Sequence, residues 1–293
     1  MSSSLTPEAR TESLIEALPY IQEFRGHTFV IKYGGAAMED DHIVEKFLRD
    51  VVFLEAVGIN PVVVHGGGKA ITARMREAGL KAKFVNGLRI TDATAIRIVE
   101  ETLDREINPA IVRTIHEYGG RAVGLSGKAV FTARQLPPQI TEDKQTLDIG
   151  FVGEAAGTKI GAIRDAIAKE IVPVISPIGA TEDGQVLNIN ADVAAAALAA
   201  ELKATKLIFV SDVPGIMRNP DDKKSLIPTL TAAQTESLIK KKIIVGGMIP
   251  KVLSAATALR MGVKKIHLIG GHVQNGLLLE IFTNAGVGSE IVP

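Results

Sequence analysis

Three stretches of the sequence combine glycines with a lysine in a pattern that suits the binding of an anion. In "FVIKYGGAA", Lys32 comes near the end of an apolar run, and two glycines follow it closely. In "VVVHGGGK", another apolar run leads into Gly66, Gly67 and Gly68, and in "VGGMIPK" two glycines precede Lys251. Glycine lets backbone N–H groups approach a ligand closely, and lysine supplies positive charge. The pattern therefore indicates contact with phosphate or carboxylate groups.

Each of these features also has an explanation that involves no ligand. Residues 66–68 could form a tight turn between a strand and a helix. Lys32 could reach solvent from a sheet edge, and Lys251 could lie on a solvated helix face. Two physical costs favour a ligand over these alternatives. A lysine half buried at a strand end needs a counter-charge, and a lysine beside the positive end of a helix is unfavourable unless an anion lies between them.

Two further stretches add polar groups to the set. "VNGLRIT" places Arg89 in a loop, where it could clamp a carboxylate with two hydrogen bonds or pair with an acidic residue at the surface. "LNINAD" places Asn188, Asn190 and Asp192 at the start of an alanine-rich helix. These side chains could cap that helix, and Asp192 could alternatively orient two lysines.

Other chemistries lack the residues that they need. The chain has no cysteine, which excludes a thiolate nucleophile. The histidines show no metal-ligand spacing, and His65 is more typical of a hydrogen-bonded strand end than of a general base. The glycine loop is not a Walker A loop, because Ala70 follows its lysine, and it is not a GxGxxG loop either. Lysines, glycine N–H groups and one arginine match phosphoryl transfer, where positioning and charge stabilisation dominate.

The composition narrows the class of protein. Over 293 residues, a hydrophobic content of 46% supports a sizeable core. The 33 basic and 33 acidic residues cancel, so no overall field attracts nucleic acid or an anionic membrane, and we expect neither as a partner. No apolar run is long enough to cross a bilayer, and the first residues lack a signal-peptide pattern. We therefore expect a cytoplasmic protein.

Short runs rich in β-branched residues alternate with helical patterns along the chain. The predicted strands are 28–33, 61–64, 121–126, 170–176, 206–210 and 264–270. The predicted helices are 41–57, 68–78, 92–118 with a break at Pro109, 191–203, 231–242 and 250–261. Such alternation is typical of an α/β fold with a mostly parallel sheet, whose strands end at one ligand-binding edge. We expect residues 127–155 to add strands or hairpins to that sheet, and residues 219–224 to form an exposed loop.

The ordered set "KYGG", "HGGG", "NGLRIT", "DIGFVGE", "LNINAD", "SDVPGI" and "GGMIPK" resembles the acetylglutamate kinases of the amino-acid kinase family. The resemblance runs from Lys32 to the end of the sequence. It implies an αβα sandwich with a mostly parallel central sheet, a substrate lobe at 26–185 and a nucleotide lobe at 186–293. It also implies transfer of phosphate from ATP, with Mg²⁺ carried on the ATP phosphates, to the γ-carboxylate of N-acetyl-L-glutamate. That reaction is the second step of arginine biosynthesis.

The resemblance implies roles for residues at matching positions. Lys32 and Lys251 would contact the transferred phosphoryl group, and Asp192 would orient the two lysines. The remaining implied sites are Gly67, Gly68, Arg89 and Asn188 for the amino-acid substrate, and Gly35, Ser211, Asp212, Val213 and Gly215 for the nucleotide. No protein ligand to a metal is implied. Side chains at 66–68 would be expected to collide with the acyl group that receives the phosphate.

Residues 1–25 precede the kinase domain at 26–293 and resemble the N-terminal helix of the arginine-inhibited acetylglutamate kinases. For residues 6–25 we predict an amphipathic helix that is capped by Thr6 and kinked by Pro19. In the arginine-inhibited kinases this helix links dimers into a hexamer. The same state, a homo-hexamer built as a trimer of dimers, is expected here, with the helix at 92–118 as the dimer contact.

The C-terminal stretch "KIHLIGG", followed by residues 277–289, resembles the arginine site of the same group. The matching residues are His267, Glu280 and Gly286, and they imply feedback inhibition by L-arginine. One position departs from the common pattern, because Gly270 stands where an acidic residue usually follows the apolar pair.

Several other classes of protein are less consistent with the sequence. Aspartokinase usually carries an added regulatory domain, and "NGLRIT" and "DIGFVGE" are not typical of glutamate 5-kinase or uridylate kinase. A metabolite sensor without catalytic activity would have no need for Lys32, Lys251 and Asp192. A nicotinamide dehydrogenase would need the GxGxxG loop that is absent here.

Overall fold

Strands and helices alternate along most of the chain, as the sequence predicts. The computed structural model describes residues 6–38, 40–141, 143–219, 222–283 and 286–293. The α-helices are α1 Pro7–Phe24, α2 Asp41–Ala56, α3 Gly68–Glu77, α4 Ala93–Glu101, α5 Asn108–Glu117, α6 Gly127–Val130, α7 Gly161–Ala168, α8 Ala191–Glu201, α9 Ala232–Lys240, α10 Met248–Arg260 and α11 Gly276–Phe282. The strands are β1 Thr28–Tyr33, β2 Asn60–His65, β3 Phe84–Val85, β4 Leu88–Arg89, β5 Ala122–Leu125, β6 Phe131–Gln135, β7 Gln139–Ile140, β8 Thr146–Leu147, β9 Val152–Thr158, β10 Val172–Ile175, β11 Ile178–Ala180, β12 Val186–Ile189, β13 Lys206–Ser211, β14 Thr229–Thr231, β15 Lys265–Gly270 and β16 Ser289–Val292.

A central sheet organises the described part of the chain. It contains eight strands in the order β14-β16-β15-β13-β1-β2-β10-β5. Neighbouring strands run parallel except for the antiparallel pair β15 and β16. This arrangement confirms the predicted, mostly parallel sheet. Because β1 lies between β2 and β13, three loops leave the carboxyl edge of the sheet side by side, which is where ligands bind in such folds.

Both faces of the sheet are covered by helices. Along β1, Phe29, Ile31 and Tyr33 pack with residues of α2 and α5, whereas Val30 packs with residues of α8 and α10. Successive side chains of a strand point to opposite faces, so an apolar residue at every position is what a strand buried on both sides requires. The αβα sandwich is therefore confirmed. By the same alternation, Lys32 projects from the face that α8 and α10 cover.

Residues 127–155 do contain strands, but the prediction that they extend the parallel sheet was wrong. β6 and β9 join β11 and β12 in a separate sheet that closes on itself, and β7 pairs with β8 in a short hairpin. The chain leaves the central sheet directly after β5. At Gly127, an added Cβ would lie 2.1 Å from the carbonyl oxygens of Ser176 and Ile178, so the backbone turns away within a space that only glycine fits.

The predicted break at Pro109 is replaced by a change of helix type. A π-helical turn, Thr102–Ile107, joins α4 to α5, and Pro109 stands at the start of α5. Proline lacks an N–H group, and its ring crowds the carbonyl group four residues earlier in an α-helix. The wider π turn accommodates this residue without ending the helical stretch.

The predicted N-terminal helix is present, and its kink at Pro19 stays a prediction. Thr6 caps α1, because its Oγ1 accepts a hydrogen bond of 3.2 Å from the N–H of Ala9, and the helix continues through Pro19. Tyr20 meets Phe282 of α11 edge-on, with 6.5 Å between the ring centres. Residues 1–5 and part of the predicted loop at 219–224 lie outside the described residues. No helix in the described ranges is both long and apolar enough to cross a membrane.

Candidate active site

Three of the predicted residues form a compact charged group, here called the lysine–aspartate cluster: Lys32, Asp192 and Lys251. Lys32 Nζ lies 3.1 Å from Asp192 Oδ1, and Lys251 Nζ lies 2.8 Å from Asp192 Oδ2. Lys251 donates a well-formed hydrogen bond. Asp192 Oδ1 has no hydrogen bond of regular geometry among the described residues, so its contact with Lys32 is ionic rather than directional. One carboxylate thus holds two ammonium groups at fixed positions.

Secondary structure places each member of this cluster. Lys32 projects from the penultimate position of β1, and Asp192 is the second residue of α8. Asn190 caps α8, since its Oδ1 accepts a hydrogen bond of 2.8 Å from the N–H of Asp192. The capping role considered for the three residues of "LNINAD" therefore belongs to Asn190, which leaves Asp192 free to contact the lysines. Lys251 lies in the first turn of α10, which has no side-chain cap.

Burial and charge act against each other in the cluster. Burial lowers the pKa of Lys32, and the attraction of Asp192 opposes that shift. Burial acts to raise the pKa of Asp192, but the Lys32 and Lys251 charges outweigh it, so this pKa lies below its ordinary value. With both lysines protonated, the cluster has two positive charges and one negative charge. It therefore attracts an anion.

Two cavities meet at the cluster. A cavity of about 830 Å³ is lined by Lys32 and Asp192, and one of about 360 Å³ by Lys32 and Lys251. The larger cavity is also lined by the residues predicted to bind the amino-acid substrate, namely Gly67, Gly68, Arg89 and Asn188. The smaller cavity is lined by the residues predicted to bind the nucleotide, namely Gly35, Ser211, Asp212, Val213 and Gly215. The arrangement gives each of two ligands its own space and a shared contact at Lys32.

Arg89 is a buried cation on the wall of the larger cavity, with only 7% of its surface exposed. Its Nη2 donates to the carbonyl oxygen of Gly68 at 2.6 Å and to Thr72 Oγ1 at 2.9 Å, and its guanidinium lies over the ring of Phe84. Among the described residues no acidic side chain pairs with it, so the surface ion pair considered above does not occur. Burial lowers the pKa of Arg89. A buried, uncompensated guanidinium is suited to an anionic ligand.

The three glycines of the "HGGG" loop differ in how much space surrounds them. A Cβ at Gly66 would lie 3.2 Å from Gly34 Cα, and a Cβ at Gly67 would lie 2.6 Å from Leu103 Cδ2. At these two positions an added side chain would already collide with protein atoms. Only Gly68 has open space around its Cα, with Arg89 Nη2 3.8 Å from the added atom. The Gly66 N–H is already used, because it donates to the Tyr33 carbonyl oxygen at 2.6 Å.

At the smaller cavity, two glycines allow close packing in backbone conformations that favour glycine. Gly35 has a φ of +81°, and an added Cβ would lie 2.3 Å from Asp212 Oδ1. Gly215 has a φ of +158°, and an added Cβ would lie 2.6 Å from Ser289 Oγ. The first contact brings the loops after β1 and β13 together beside the smaller cavity, and the second packs the β13 loop against β16.

The three predicted effector residues also lie together, but in a satisfied group. His267 Nδ1 donates to Glu280 Oε1 at 2.6 Å, and Glu280 Oε2 accepts from the N–H groups of Val287 at 2.7 Å and Gly288 at 3.0 Å. A Cβ at Gly286 would lie 2.8 Å from Glu280 Oε2. Burial lowers the pKa of His267, so its contact with Glu280 is a hydrogen bond from a neutral ring.

Sequence reasoning missed one member of this second group, Lys206. Its Nζ donates to His267 Nε2 at 3.1 Å and lies 5.0 Å from the centre of the Phe24 ring at the end of α1. Burial lowers the pKa of Lys206. The sequence feature that could have identified Lys206 is its position as a lysine at the start of the apolar run "KLIFV". Lys206, His267 and Glu280 are called the histidine–glutamate cluster below.

The described residues contain no group of three or more His, Asp or Glu side chains placed to hold a metal ion. Asp192 is the acid nearest the shared contact of the two cavities, and both of its oxygens face lysines.

Comparison with known proteins assigns this fold and site to a class. The model of the amino acid kinase family matches residues 27–270. The chain is 49% identical to the acetylglutamate kinase of Akkermansia muciniphila over 295 residues, which cover 100% of this chain and 99% of that protein. The chain therefore belongs to the amino acid kinase family, and the resemblance found in its motifs is confirmed.

Solved structures agree with this assignment. N-acetylglutamate synthase from Neisseria gonorrhoeae, complexed with coenzyme A and N-acetyl-glutamate, has a TM-score of 0.84 and 27% identity over 97% of this chain and 63% of the synthase chain. The same synthase complexed with coenzyme A and L-arginine has a TM-score of 0.80 and 25% identity over 96% of this chain and 65% of the synthase chain. This chain thus spans less than two thirds of the length of the synthase.

Proposed function

We propose that this chain transfers the γ-phosphoryl group of ATP to the γ-carboxylate of N-acetyl-L-glutamate, which gives N-acetyl-L-glutamyl 5-phosphate and ADP. This is the second step of arginine biosynthesis through acetylated intermediates. One observation carries the proposal: Lys32 and Lys251, held by Asp192, lie where two cavities meet. The name of the relative from Akkermansia muciniphila supports the choice of acceptor.

The acceptor occupies the larger cavity in this proposal. Its α-carboxylate pairs with Arg89, which is buried and lacks an acidic partner among the described residues. Gly67 and Gly68 stand at the start of α3, which has no side-chain cap, so first-turn N–H groups remain for the γ-carboxylate. Asn188 lines the same cavity and supplies a polar contact. These groups orient the γ-carboxylate toward Lys32.

The nucleotide occupies the smaller cavity, and its phosphates point toward Lys32 and Lys251. Gly35, Ser211, Asp212, Val213 and Gly215 line this space. Mg²⁺ enters as part of the nucleotide, because this ion tends to keep its waters and to bind phosphate oxygens. The shared position of Lys32 between the cavities brings donor and acceptor together.

The chemistry needs charge stabilisation rather than a general base. A carboxylate with an ordinary pKa of about 4.3 is already ionised at neutral pH. The main barrier is then the approach of one anion to another. Two lysines held by one aspartate give the cluster a net positive charge at this point, and preorganised charges of this kind are effective in a site that excludes water.

Trapping of the acyl phosphate tests the proposal directly. Hydroxylamine converts an acyl phosphate into a hydroxamate that can be measured by its colour with ferric ion. N-acetylglutamate, glutamate and aspartate are compared as acceptors with ATP. UMP is tested in parallel by the release of ADP, because phosphorylated UMP is not an acyl phosphate and gives no hydroxamate. We expect hydroxamate with N-acetylglutamate and much less with glutamate or aspartate. Phosphorylation of UMP, or a preference for an unacetylated acid, would contradict the proposed acceptor.

We further propose inhibition by L-arginine and assembly into a hexamer. Support comes from the grouping of His267, Glu280 and Gly286 beside α1, and from the L-arginine complex of the related synthase. Glu280 accepts three hydrogen bonds, which leaves capacity for a cationic ligand. Leu14 and Ile15 of α1 are 67% and 64% exposed, and this apolar face is suited to the same helix of another subunit.

Removal of residues 1–25 tests this second part. Light scattering should then report a dimer, and arginine titration should show weakened inhibition with activity preserved. A truncated protein that remains hexameric and is inhibited as before would contradict both the assembly contact and its link to the effector.

A further inference from the structure

The π-helical turn at Thr102–Ile107 lies directly behind the glycine loop of residues 65–68. An added Cβ at Gly67 would lie 2.6 Å from Leu103 Cδ2 and 2.7 Å from Ile107 Cδ1, so both side chains touch the loop backbone. Both also line the larger cavity. π turns are rare, and they occur frequently at functional sites. The position of this one suggests that it supports the loop.

Asp104 anchors the turn to the central sheet. Ser126 Oγ, after the end of β5, donates to Asp104 Oδ2 at 2.6 Å, and Ser176 Oγ, after the end of β10, donates to Asp104 Oδ1 at 2.5 Å. One carboxylate therefore ties the helical stretch to two neighbouring strand ends. Because the wide turn is fixed on the sheet side, the side chains that face the glycine loop are fixed as well.

A second contact links α5 to the loop through His65. Asn108 Nδ2 lies 2.9 Å from the carbonyl oxygen of Val174 and 3.3 Å from His65 Nε2. A carbonyl oxygen only accepts, so the amide N–H₂ group must face Val174, and its second proton points to the histidine. His65 Nε2 is thus an acceptor, and Nδ1 carries the proton that is donated to the Gly66 carbonyl oxygen at 2.8 Å. Every proton in this chain of contacts has one consistent position.

The loop needs such support because glycines alone do not fix a backbone. Each glycine has more conformational freedom to lose than any other residue. The loop nevertheless has to present the first-turn N–H groups of α3 to a carboxylate with little tolerance, and α3 has no side-chain cap to hold them. The Gly66 N–H is held by β1, and its carbonyl oxygen is held by His65.

We infer that His65 and Asn108 are positioning residues that, together with the π turn, set the acceptor-binding geometry of the glycine loop. This inference rests on the proposed function for the identity of the acceptor. Neither residue contacts the reacting atoms; both act through the Gly66 carbonyl group. Burial lowers the pKa of His65 to about 4, which keeps the ring neutral, as the acceptor role of Nε2 requires.

A double-mutant cycle with His65→Leu and Asn108→Leu tests the inference. Each single change should raise the KM for the acceptor by about tenfold or more, with a far smaller change in the KM for ATP, because misplacement of a positioning group by about 1 Å can cost ~10²-fold. The double variant should be no worse than the worse single variant, since both act through one path. Additive effects, or equal changes in the two KM values, would overturn the inference.

Two further variants control for general damage. His65→Asn retains an N–H group close to the Gly66 carbonyl oxygen, so it should recover much of the loss seen with His65→Leu. His27→Leu makes the same substitution directly before β1, at the opposite edge of the sheet from His65, where His27 Nδ1 contacts Thr205 Oγ1 at 3.2 Å. It should leave both KM values unchanged. A His65→Asn enzyme as impaired as His65→Leu would argue against the contact with Gly66.

Hydrogen exchange gives a readout that needs no substrate. Amides of the glycine loop and the first turn of α3 should exchange faster in His65→Leu and in Asn108→Leu, with the rest of the sheet unchanged. Unchanged exchange in the loop would overturn the inference even if the enzyme uses N-acetylglutamate. Absence of hydroxamate with the wild-type enzyme would instead contradict the proposed function, so the two failures remain distinguishable.

Discussion

Two buried clusters of lysine and carboxylate side chains lie on the central sheet, and they differ in what surrounds them. The lysine–aspartate cluster stands at the carboxyl end of β1, where two cavities meet. The histidine–glutamate cluster lies between β13, β15 and α11, where Glu280 accepts three hydrogen bonds from protein groups. In the first cluster, by contrast, Asp192 Oδ1 lacks a directional hydrogen bond among the described residues.

Under the proposed function, this difference separates the cluster that takes part in the reaction from the cluster that does not. A buried carboxylate that accepts hydrogen bonds from protein groups is already stabilised, so it does not need an anionic ligand beside it. A buried charge that faces a cavity with unused donors is stabilised further when an anion arrives. Both clusters contain lysines whose pKa burial lowers, so a shifted pKa does not distinguish them. The surrounding space and the unused hydrogen-bonding capacity do.

Replacement of Lys32 by alanine should produce the largest effect on function. The kcat should fall by roughly 10²–10³-fold, the scale seen when one preorganised donor is lost, and ATP binding should change much less. Steady-state kinetics with both substrates measure the two effects separately. A nearly normal kcat for the Lys32→Ala enzyme would show that Lys32 takes no part in the transfer step.

A third buried carboxyl, Asp50 on α2, shows the effect of burial where the nearby cation, Arg49, opposes it only weakly. Burial raises its pKa from 3.8 to about 7, although the N–H groups of Leu278 and Leu277 oppose the shift. Because the folded state then binds the proton more tightly than the unfolded state, the contribution of Asp50 to stability is present at low pH and is lost as the pH rises toward 7.

Denaturation of wild type and Asp50→Asn across this pH range measures the effect. The free energy of unfolding of the wild type should fall by roughly 2–4 kcal/mol relative to the variant between pH 4 and pH 7. Parallel curves for the two proteins would mean that Asp50 has an ordinary pKa.

Glu280→Gln should affect stability and leave catalysis intact. The amide keeps the size of the side chain but presents an N–H₂ group where Glu280 accepts hydrogen bonds from three N–H donors, which should cost about 1–3 kcal/mol. Glu290→Gln is a matched control, because Glu290 pairs at 2.9 Å with Lys265, whose side chain is 49% exposed. That change should cost about 0–1 kcal/mol. A large fall in kcat for Glu280→Gln would contradict the claim that only the lysine–aspartate cluster takes part in catalysis.

Arg89→Lys should have a smaller effect that is confined to one substrate. Lysine keeps the charge but loses the two-pronged geometry, so the KM for the acceptor should rise about tenfold while the KM for ATP stays nearly constant. Arg74→Lys is the control, since Arg74 pairs with Glu77 and Glu106 at the surface. Equal changes in both KM values for Arg89→Lys would indicate a structural role.

The sequence was sufficient to predict the parts of the fold that depend on local pattern. The apolar runs fixed the positions of β1 and β13, and the glycines and charges beside them marked Lys32 and Lys251. Asp192 and Arg89 were also found, although two interpretations of each remained open. The three-dimensional structure resolves both cases through burial and contacts. It shows that Asp192 contacts the lysines rather than capping the helix, and that Arg89 is buried rather than paired at the surface.

Features that depend on distant packing were not predictable. The local pattern at 127–155 predicts strands, but it does not predict their partners, because β11 and β12 lie later in the chain. The contact of Gly67 with Leu103 and Ile107 also depends on packing between distant parts of the chain. Lys206 carries no motif, and its role depends on His267, which lies 61 residues away. In each case the information lies in a contact between elements rather than in a local pattern.

The comparison of the two clusters is tested most directly by hydroxamate formation from ATP and N-acetylglutamate by three proteins side by side. Wild type and Glu280→Gln should form hydroxamate at similar rates, and Lys32→Ala should be slower by roughly 10²-fold or more. Circular dichroism confirms that each protein is folded under the assay conditions. Loss of activity in Glu280→Gln equal to that in Lys32→Ala, or no hydroxamate from the wild type, would contradict the account.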